Sequence, residues 1–431
     1  MTRTAVIGAG MVGLVTALRL VERGDEVVVF ERDTVPGGLA ASFVPVAGGD
    51  PLERFYHHIF RTDHRIVALI HELGLGERLI WAQPITTCLY DGRLERLDSP
   101  ASLLAFSALA PAERLRLALA LGILKLAPSA APFEDRLGPR WLRTVGGRNA
   151  YRVIFEPLFA AKFGAHAEDI SLAWFWARIH DRTASLGYMG GGFSALYERL
   201  AERIRAGGGR FEFGAPVTRI ERTGATFAIA RADSAHPDTG FDRVIATVPL
   251  RVLATLAPDL PADFLAQYTP APGLWARCLV LALDRPLTDA YWINVCEQNA
   301  PFMVAVEHTN LIDPARYGGR HLVYLGNYAP AFPRVPAQSL VAEFTPYLRR
   351  LNPQFSIDWV VDAWQFCAPD AQPIVTPGYR ARIAPHQTPI PGLFVGNLYQ
   401  VYPHDRGQNY AVALAESLVD SLDRAIAESA A

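Results

Sequence analysis

At 431 residues the chain is too long for one compact core and fits two domains. Half of its residues are hydrophobic and 19% are charged, which excludes an intrinsically disordered chain. A formal net charge of −2 leaves no basic footprint for nucleic acid, so no nucleic-acid partner is expected.

The first elements carry the clearest signal. Residues 4–7 read as a buried strand, followed at once by Gly8-Ala9-Gly10-Met11-Val12-Gly13, a helical pattern over 14–23 and a second strand over 27–31. In this G-x-G-x-x-G spacing Gly8 makes the tight turn, Gly10 lets the backbone approach a pyrophosphate, and Gly13 lets helix and strand pack closely. The helix N-terminus offers free N–H groups and a positive dipole end to phosphates. Glu31 closes the second strand about 20 residues past the glycines, where a carboxylate accepts from ribose hydroxyls. A bound dinucleotide is the expectation; a chance Gly-rich turn is the alternative.

Further along, Gly37-Gly38-Leu39 follows the ribose acid, and the string Pro51-Leu52-Glu53-Arg54-Phe55-Tyr56-His57-His58-Ile59-Phe60-Arg61-Thr62-Asp63 is aromatic and rich in titratable groups. Residues 102–127 are apolar helical material broken by Glu113, Arg114 and Arg116, read first as buried substrate-domain helix and second as a peripheral membrane contact. Lys162, one of only two lysines with Lys125, sits in apolar surroundings; it reads as a snorkelling surface residue or, alternatively, as a contact for a substrate anion. Trp174 and Trp176 read as core, and Gly190-Gly191-Gly192 as a turn where backbone approaches cofactor or substrate. Residues 278–283 and 321–325 read as strands of a second sheet, and 407–422 as a helix. Between 397 and 410 the chain is polar and aromatic. There Arg406 suits a phosphate or carboxylate and Tyr402 and Tyr410 suit a substrate, unless Asp405 and Arg406 simply pair and cap the helix. Cys88, Cys278, Cys296 and Cys367 show no C-x-x-C and no histidine at metal spacing, so neither a disulfide framework nor a metal site is expected. Met1 leads straight into the first strand, which predicts a cytoplasmic location without a signal peptide; no apolar run reaches the ~18 residues of a spanning helix.

The acid followed by a Gly pair at Glu31 and Gly37-Gly38 resembles the flavoprotein pattern E-x(5)-G-G of the amine oxidase, protoporphyrinogen oxidase and phytoene desaturase superfamily. Asp242-Arg243-Val244-Ile245-Ala246-Thr247-Val248-Pro249 resembles its D-x-V-V-x-A-T-P turn, and Pro391-Gly392-Leu393-Phe394-Val395-Gly396-Asn397 its final FAD strand. The pattern departs at Leu39, where many members carry an Arg, and at Asn397, where they carry an acid. The resemblance implies FAD held by Gly8, Gly10, Met11, Val12, Gly13, Glu31, Arg32, Gly37, Gly38, Leu39, the Val217 backbone at the adenine, and Gly396, Asn397, Gly407, Asn409 and Tyr410. It places the paired histidines under the flavin, where His57 and His58 are the catalytic candidates, moving protons near neutral pH. Lys162, Tyr402 and Arg406 are the substrate-binding candidates.

The implied fold is α/β: a glutathione-reductase-type, Rossmann-like FAD domain (1–75, 190–250 and 385–431) interleaved with an α+β substrate domain (76–189 and 251–384). The implied activity is oxidation or desaturation of a small organic substrate by hydride transfer to flavin. His58-Ile59-Phe60-Arg61-Thr62 also resembles the H-I-F-H-T string of UDP-galactopyranose mutase, making a non-redox flavoenzyme acting on a nucleotide sugar the rival reading. A flavin-binding protein without catalysis is disfavoured by the polar residues gathered near 397–410. Substrate, electron acceptor and oligomeric state are not legible.

Overall fold

Valine-rich segments bounded by glycine turns become the middle of a five-stranded parallel sheet. The computed structural model describes residues 1–270, 272–404 and 406–430, the side chains of 426 and 428–430 excepted. The sheet runs in the order Arg210–Phe213, Glu26–Glu31, Arg3–Ile7, Arg243–Ala246, Leu393–Val395, with every pairing parallel. Both faces are covered, which is why these strands are apolar throughout. Val6, Val27, Val29, Ile245 and Phe394 pack toward the helices Met11–Glu22 and Gln408–Ala430; Ala5, Val28, Phe30, Val244 and Leu393 pack toward a three-stranded sheet carrying Ile220, Phe227 and Ile229.

The second sheet has seven strands, in the order Val360–Gln372, Leu274–Leu283, His321–Ala329, Val304–Glu307, Trp292–Val295, Thr86–Tyr90, Arg93–Arg96. Both segments expected as strands are there. Period-2 alternation divides its central strand: Leu279, Leu281 and Leu283 pack with Leu340, Phe344 and Leu348 of the helix Ala337–Leu351, while Cys278, Val280 and Ala282 face the other core. A helical layer between residues 100 and 180 closes the far side around Trp141, Phe159, Phe163, Trp174 and Trp176, the two expected core tryptophans included.

The helix Pro111–Leu126 corrects the expectation of a buried segment. Leu117, Ala120 and Leu124 face the core, but Leu115, Leu119, Ile123 and Leu126 are 57%, 63%, 52% and 84% exposed, one apolar stripe along the outer face. The pattern was apolar nearly all round because two faces bear apolar side chains and only one has protein to cover it. Among the described residues no helix is long and apolar enough to cross a membrane.

Candidate functional site

Because the five strands are parallel, Ile7, Glu31, Phe213, Ala246 and Val395 all end on one edge, the edge where open α/β sheets bind ligands. Gly8 turns there with φ 108°, and a Cβ on it would stand 2.5 Å from Thr247 Oγ1. A Cβ on Gly13 would stand 2.0 Å from the Gly8 carbonyl oxygen, so helix and loop touch with nothing to spare. At Gly10 a Cβ would meet nothing within 4 Å, and no side chain caps the helix that starts at Met11. Open space beside uncapped amides is what a pyrophosphate requires. Gly37, at φ 125°, donates its N–H to the Ala9 carbonyl at 2.9 Å, and Gly38 lies against Gly10, so the two glycine turns face each other with Leu39 in the short turn that follows. The backbone N–H of Arg54, a residue the sequence did not single out, donates to the Ala41 carbonyl and its guanidinium lies 3.8 Å from Asp33, bringing beside this turn a positive charge that Leu39 does not supply; Arg32 is exposed.

Glu31 is buried, and its carboxylate accepts the Ala9 N–H at 2.7 Å and the Asp33 N–H at 2.9 Å. It therefore fixes the loop, with lone pairs left over for a ribose. Its carbonyl accepts the Ala215 N–H at 2.9 Å, which sets Val217 at the start of the next strand beside it. Gly396 abuts Val12 and Leu418: a Cβ there would lie 3.5 and 3.0 Å from them. Asn397 is buried and uses its side-chain oxygen on the Tyr399 N–H, capping a short turn rather than standing free.

The segment after the glycine pair supplies the titratable groups. Glu53 is fully buried, accepts from Tyr188 Oη at 2.6 Å and the Phe193 N–H at 2.7 Å, and burial pushes it up to about 7. Here the glycine triplet finds its purpose: a Cβ on Gly192 would come within 2.6 Å of the Pro51 carbonyl, so the close approach is to the protein's own chain. The Nδ1–H of His57 donates to the Phe55 carbonyl at 2.7 Å, which leaves Nε2 as its acceptor. His58 lies edge-on to Phe60, Tyr291 and Trp292, and its Nδ1 has no hydrogen-bond partner among the described residues. Burial lowers His57 to about 4 and His58 to about 3, with Arg406 adding to both and Arg182 to His58. This corrects the expectation of proton movement near neutral pH: both rings are neutral there. The groups in this stretch that titrate nearer neutrality are carboxyls: Glu53, and Asp63, pushed up to about 6 by burial and by Asp181 against the Phe60 N–H it accepts.

The string before the last helix is divided. Asn409 accepts the Arg65 N–H at 2.9 Å and the Ile66 N–H at 3.3 Å, holding the start of the helix His64–Glu72, so its side chain is taken up within the protein. Gly407, at φ 133°, sits so close to the Tyr410 ring that a Cβ would be 2.9 Å away. Tyr410 donates to Asp181 at 3.0 Å and stacks on His404 at 3.7 Å between centroids, while His404 Nε2 lies 3.1 Å from the same carboxylate oxygen. Nothing in the spacing of 181, 404 and 410 announced that trio. Tyr402 turns away, stacked on Tyr379 at 5.7 Å. Lys162 is 8% exposed, which overturns the surface reading; its ammonium lies 4.7 Å from the centre of the Tyr328 ring, and the Arg406 guanidinium lies over the same ring at 5.1 Å. The expected pairing of Asp405 with Arg406 falls outside the described residues.

Parallel sheet, glycine turns, buried ribose-side acid and an open pyrophosphate path define a dinucleotide-binding α/β fold. The model of the flavin containing amine oxidoreductase family matches residues 11–404, and the chain belongs to that family: it is an FAD-dependent oxidoreductase. It is similar to the zeta-carotene desaturase of Arabidopsis thaliana, 29% identical over 176 residues, which are 38% of this chain and only 30% of that relative. Its fold is that of a putative protoporphyrinogen oxidase from Exiguobacterium sp. 255-15, with a TM-score of 0.77, 18% identity and 98% of both chains covered. It also resembles reduced UDP-galactopyranose mutase, with a TM-score of 0.75, 16% identity and 98% and 95% of the two chains covered.

Proposed function

We propose that the protein oxidises or desaturates a small organic molecule at carbon, with residues 1–75, 190–250 and 385–431 holding FAD and residues 76–189 and 251–384 shaping the substrate cleft. When bound, FAD supplies the two-electron acceptor for a hydride leaving that carbon. The observation that carries the reading is the state of the histidine pair: two neutral imidazoles among aromatic rings, in the segment leading from the glycine turn toward the substrate half. His57, with Nδ1 held by Phe55, presents Nε2 to accept a hydrogen bond from substrate, and His58 with its aromatic neighbours excludes water. FAD would be held by Gly8, Gly10, Gly13, Gly37, Gly38, Glu31 and Arg54, with the Val217 backbone and the helix start at Gly407–Tyr410 contributing to the same site. Anaerobic stopped-flow reduction of the flavin, followed by reoxidation with oxygen and quinones, tests this. Turnover of a UDP-sugar by prereduced enzyme without net flavin oxidation would favour mutase chemistry instead.

The exposed stripe of Leu115, Leu119, Ile123 and Leu126 supports an enzyme that rests this helix on a membrane surface. Cosedimentation with phosphatidylglycerol vesicles should be lost on Leu119→Ser with Ile123→Ser. Equal binding by that variant would end the reading.

A further inference from the structure

We propose that His404, held by Asp181 and Tyr410, is the base that takes the proton lost when the substrate is oxidised. This rests on the flavoenzyme reading above and names its proton acceptor. His57 and His58, titrating at about 4 and about 3, are too weakly basic for that role.

Loss of a hydride alone would leave a cation. In the balanced step a substrate C–H bond breaks and its electron pair leaves with the hydrogen as hydride, which FAD accepts. A proton leaves the neighbouring carbon, nitrogen or oxygen, and the electron pair of that bond becomes the new double bond. His404 Nδ1 takes the proton, and the ring becomes imidazolium beside the Asp181 carboxylate.

Three stretches of chain build the trio. The loop carrying His404 runs from the ligand edge of the parallel sheet, where Val395 ends and Gly396 abuts Val12, to the helix that starts at Gln408. Asp181 closes the helix Leu172–His180. Its carbonyl accepts from Thr62 Oγ1, in the histidine segment, at 2.6 Å. Lys125 Nζ clamps the carbonyls on either side, those of His180 and Arg182, at 2.7 and 2.8 Å. The acid is thus fixed against the segment that follows the paired histidines.

His404 Nε2 lies 3.1 Å from Asp181 Oδ2, and Tyr410 Oη donates to the same oxygen at 3.0 Å. A carboxylate only accepts, so the neutral ring keeps its proton on Nε2 and Nδ1 is left with the lone pair. Tyr410 stacks on the imidazole at 3.7 Å between centroids and 14° between planes, which fixes the direction of that lone pair. Nδ1 makes no hydrogen bond among the described residues, and 18% of the side chain remains exposed. Burial opposes a charge on Asp181, yet the hydrogen bonds from His404 and Tyr410 hold it below its ordinary value. An ionised carboxylate at that distance stabilises the imidazolium formed on proton uptake. Asp63, the other acid close by, is buried with its carboxylate on the Phe60 N–H, so the accessible lone pair is that of His404.

The test uses the full chain loaded with FAD, without oxygen at pH 7.5, and two forms of one small probe. Freshly dissolved nitroethane must lose its α-proton before it can reduce a flavin, whereas the preformed anion, ethyl nitronate, needs no base. Both should reduce the parent. His404→Gln should slow reduction by nitroethane about a hundredfold or more and leave reduction by nitronate at the parent's rate; Asp181→Asn should change both in the same sense. Independently of turnover, diethyl pyrocarbonate should carbethoxylate His404 in the parent, read by peptide mass. Nitroethane that reduces parent and His404→Gln alike, or neither, would overturn the proposal. So would equal slowing with both forms, which marks a structural role, or a His404 that diethyl pyrocarbonate does not modify. In each case reduction by nitronate leaves the flavoenzyme standing. A parent chain that retains no FAD, or whose flavin nitronate does not reduce, would overturn both.

Discussion

Replacing Glu53 by Gln should make the enzyme more stable, and increasingly so as the pH rises. Glu53 lies fully buried beneath the histidine segment, and burial raises it from 4.5 to about 7 despite the hydrogen bonds from Tyr188 and Phe193. A carboxyl whose folded pKa is raised stabilises the fold below its unfolded pKa, and that contribution is lost as pH climbs through the folded value. For this pair of values the ionisation penalty is about 1 kcal/mol at pH 5 and about 3 kcal/mol at pH 8, since each pKa unit is worth ~1.4 kcal/mol. Gln keeps the shape, one acceptor and one donor, and carries no charge at any pH. The stability difference between Glu53→Gln and the parent should therefore grow by roughly 2 kcal/mol across that interval. Glu307, raised to about 7, and His308, lowered to about 3, also titrate with folding, so the parent's own profile mixes several groups. The difference between the two proteins isolates one. Urea unfolding of the FAD-free chain at pH 5, 6.5 and 8, followed by tryptophan fluorescence, measures it. A difference that stays constant within about 0.5 kcal/mol would show that Glu53 ionises freely and that the burial argument is wrong.

The glycines separate binding from folding: Gly10→Val should fold but emerge colourless, whereas Gly13→Ala, with its Cβ 2.0 Å from the Gly8 carbonyl, should lose solubility or shift unfolding sharply. A yellow Gly10→Val protein would show that the pyrophosphate takes another path. Glu31→Ala leaves the Ala9 and Asp33 N–H groups unpaired, at about 1–3 kcal/mol each, and should weaken FAD measurably by fluorescence titration; unchanged affinity would mean the loop holds its shape without the carboxylate. Because His57 and His58 stay neutral above about pH 5, replacing either should shift the flavin spectrum but leave the pH dependence of its reduction between pH 5 and 8 intact. A component near pH 6 should instead vanish in Asp63→Asn, and its survival there would assign it elsewhere.

The nucleotide half of the molecule was legible because its signal is local. A strand, a G-x-G-x-x-G loop and a helix follow one another within twenty-odd residues, and each glycine is demanded by a contact with a near neighbour, as Gly13 is by Gly8. The strands at 278–283 and 321–325 were readable for a similar reason, since a short continuous apolar run is written into each strand alone. What the sequence could not supply is whatever depends on a distant partner. Lys162 read as a surface lysine because nothing nearby shows that Tyr328 and Arg406 close over it. The histidines looked poised for proton transfer because a free imidazole titrates near neutrality; burial and the fields of Arg182 and Arg406, each more than 100 residues away, hold them neutral. Asn409 looked like a cofactor ligand until the fold brought the amides of Arg65 and Ile66 to it. Composition likewise could not distinguish the two apolar faces of Pro111–Leu126, because hydrophobicity is a property of side chains and burial a property of what packs against them.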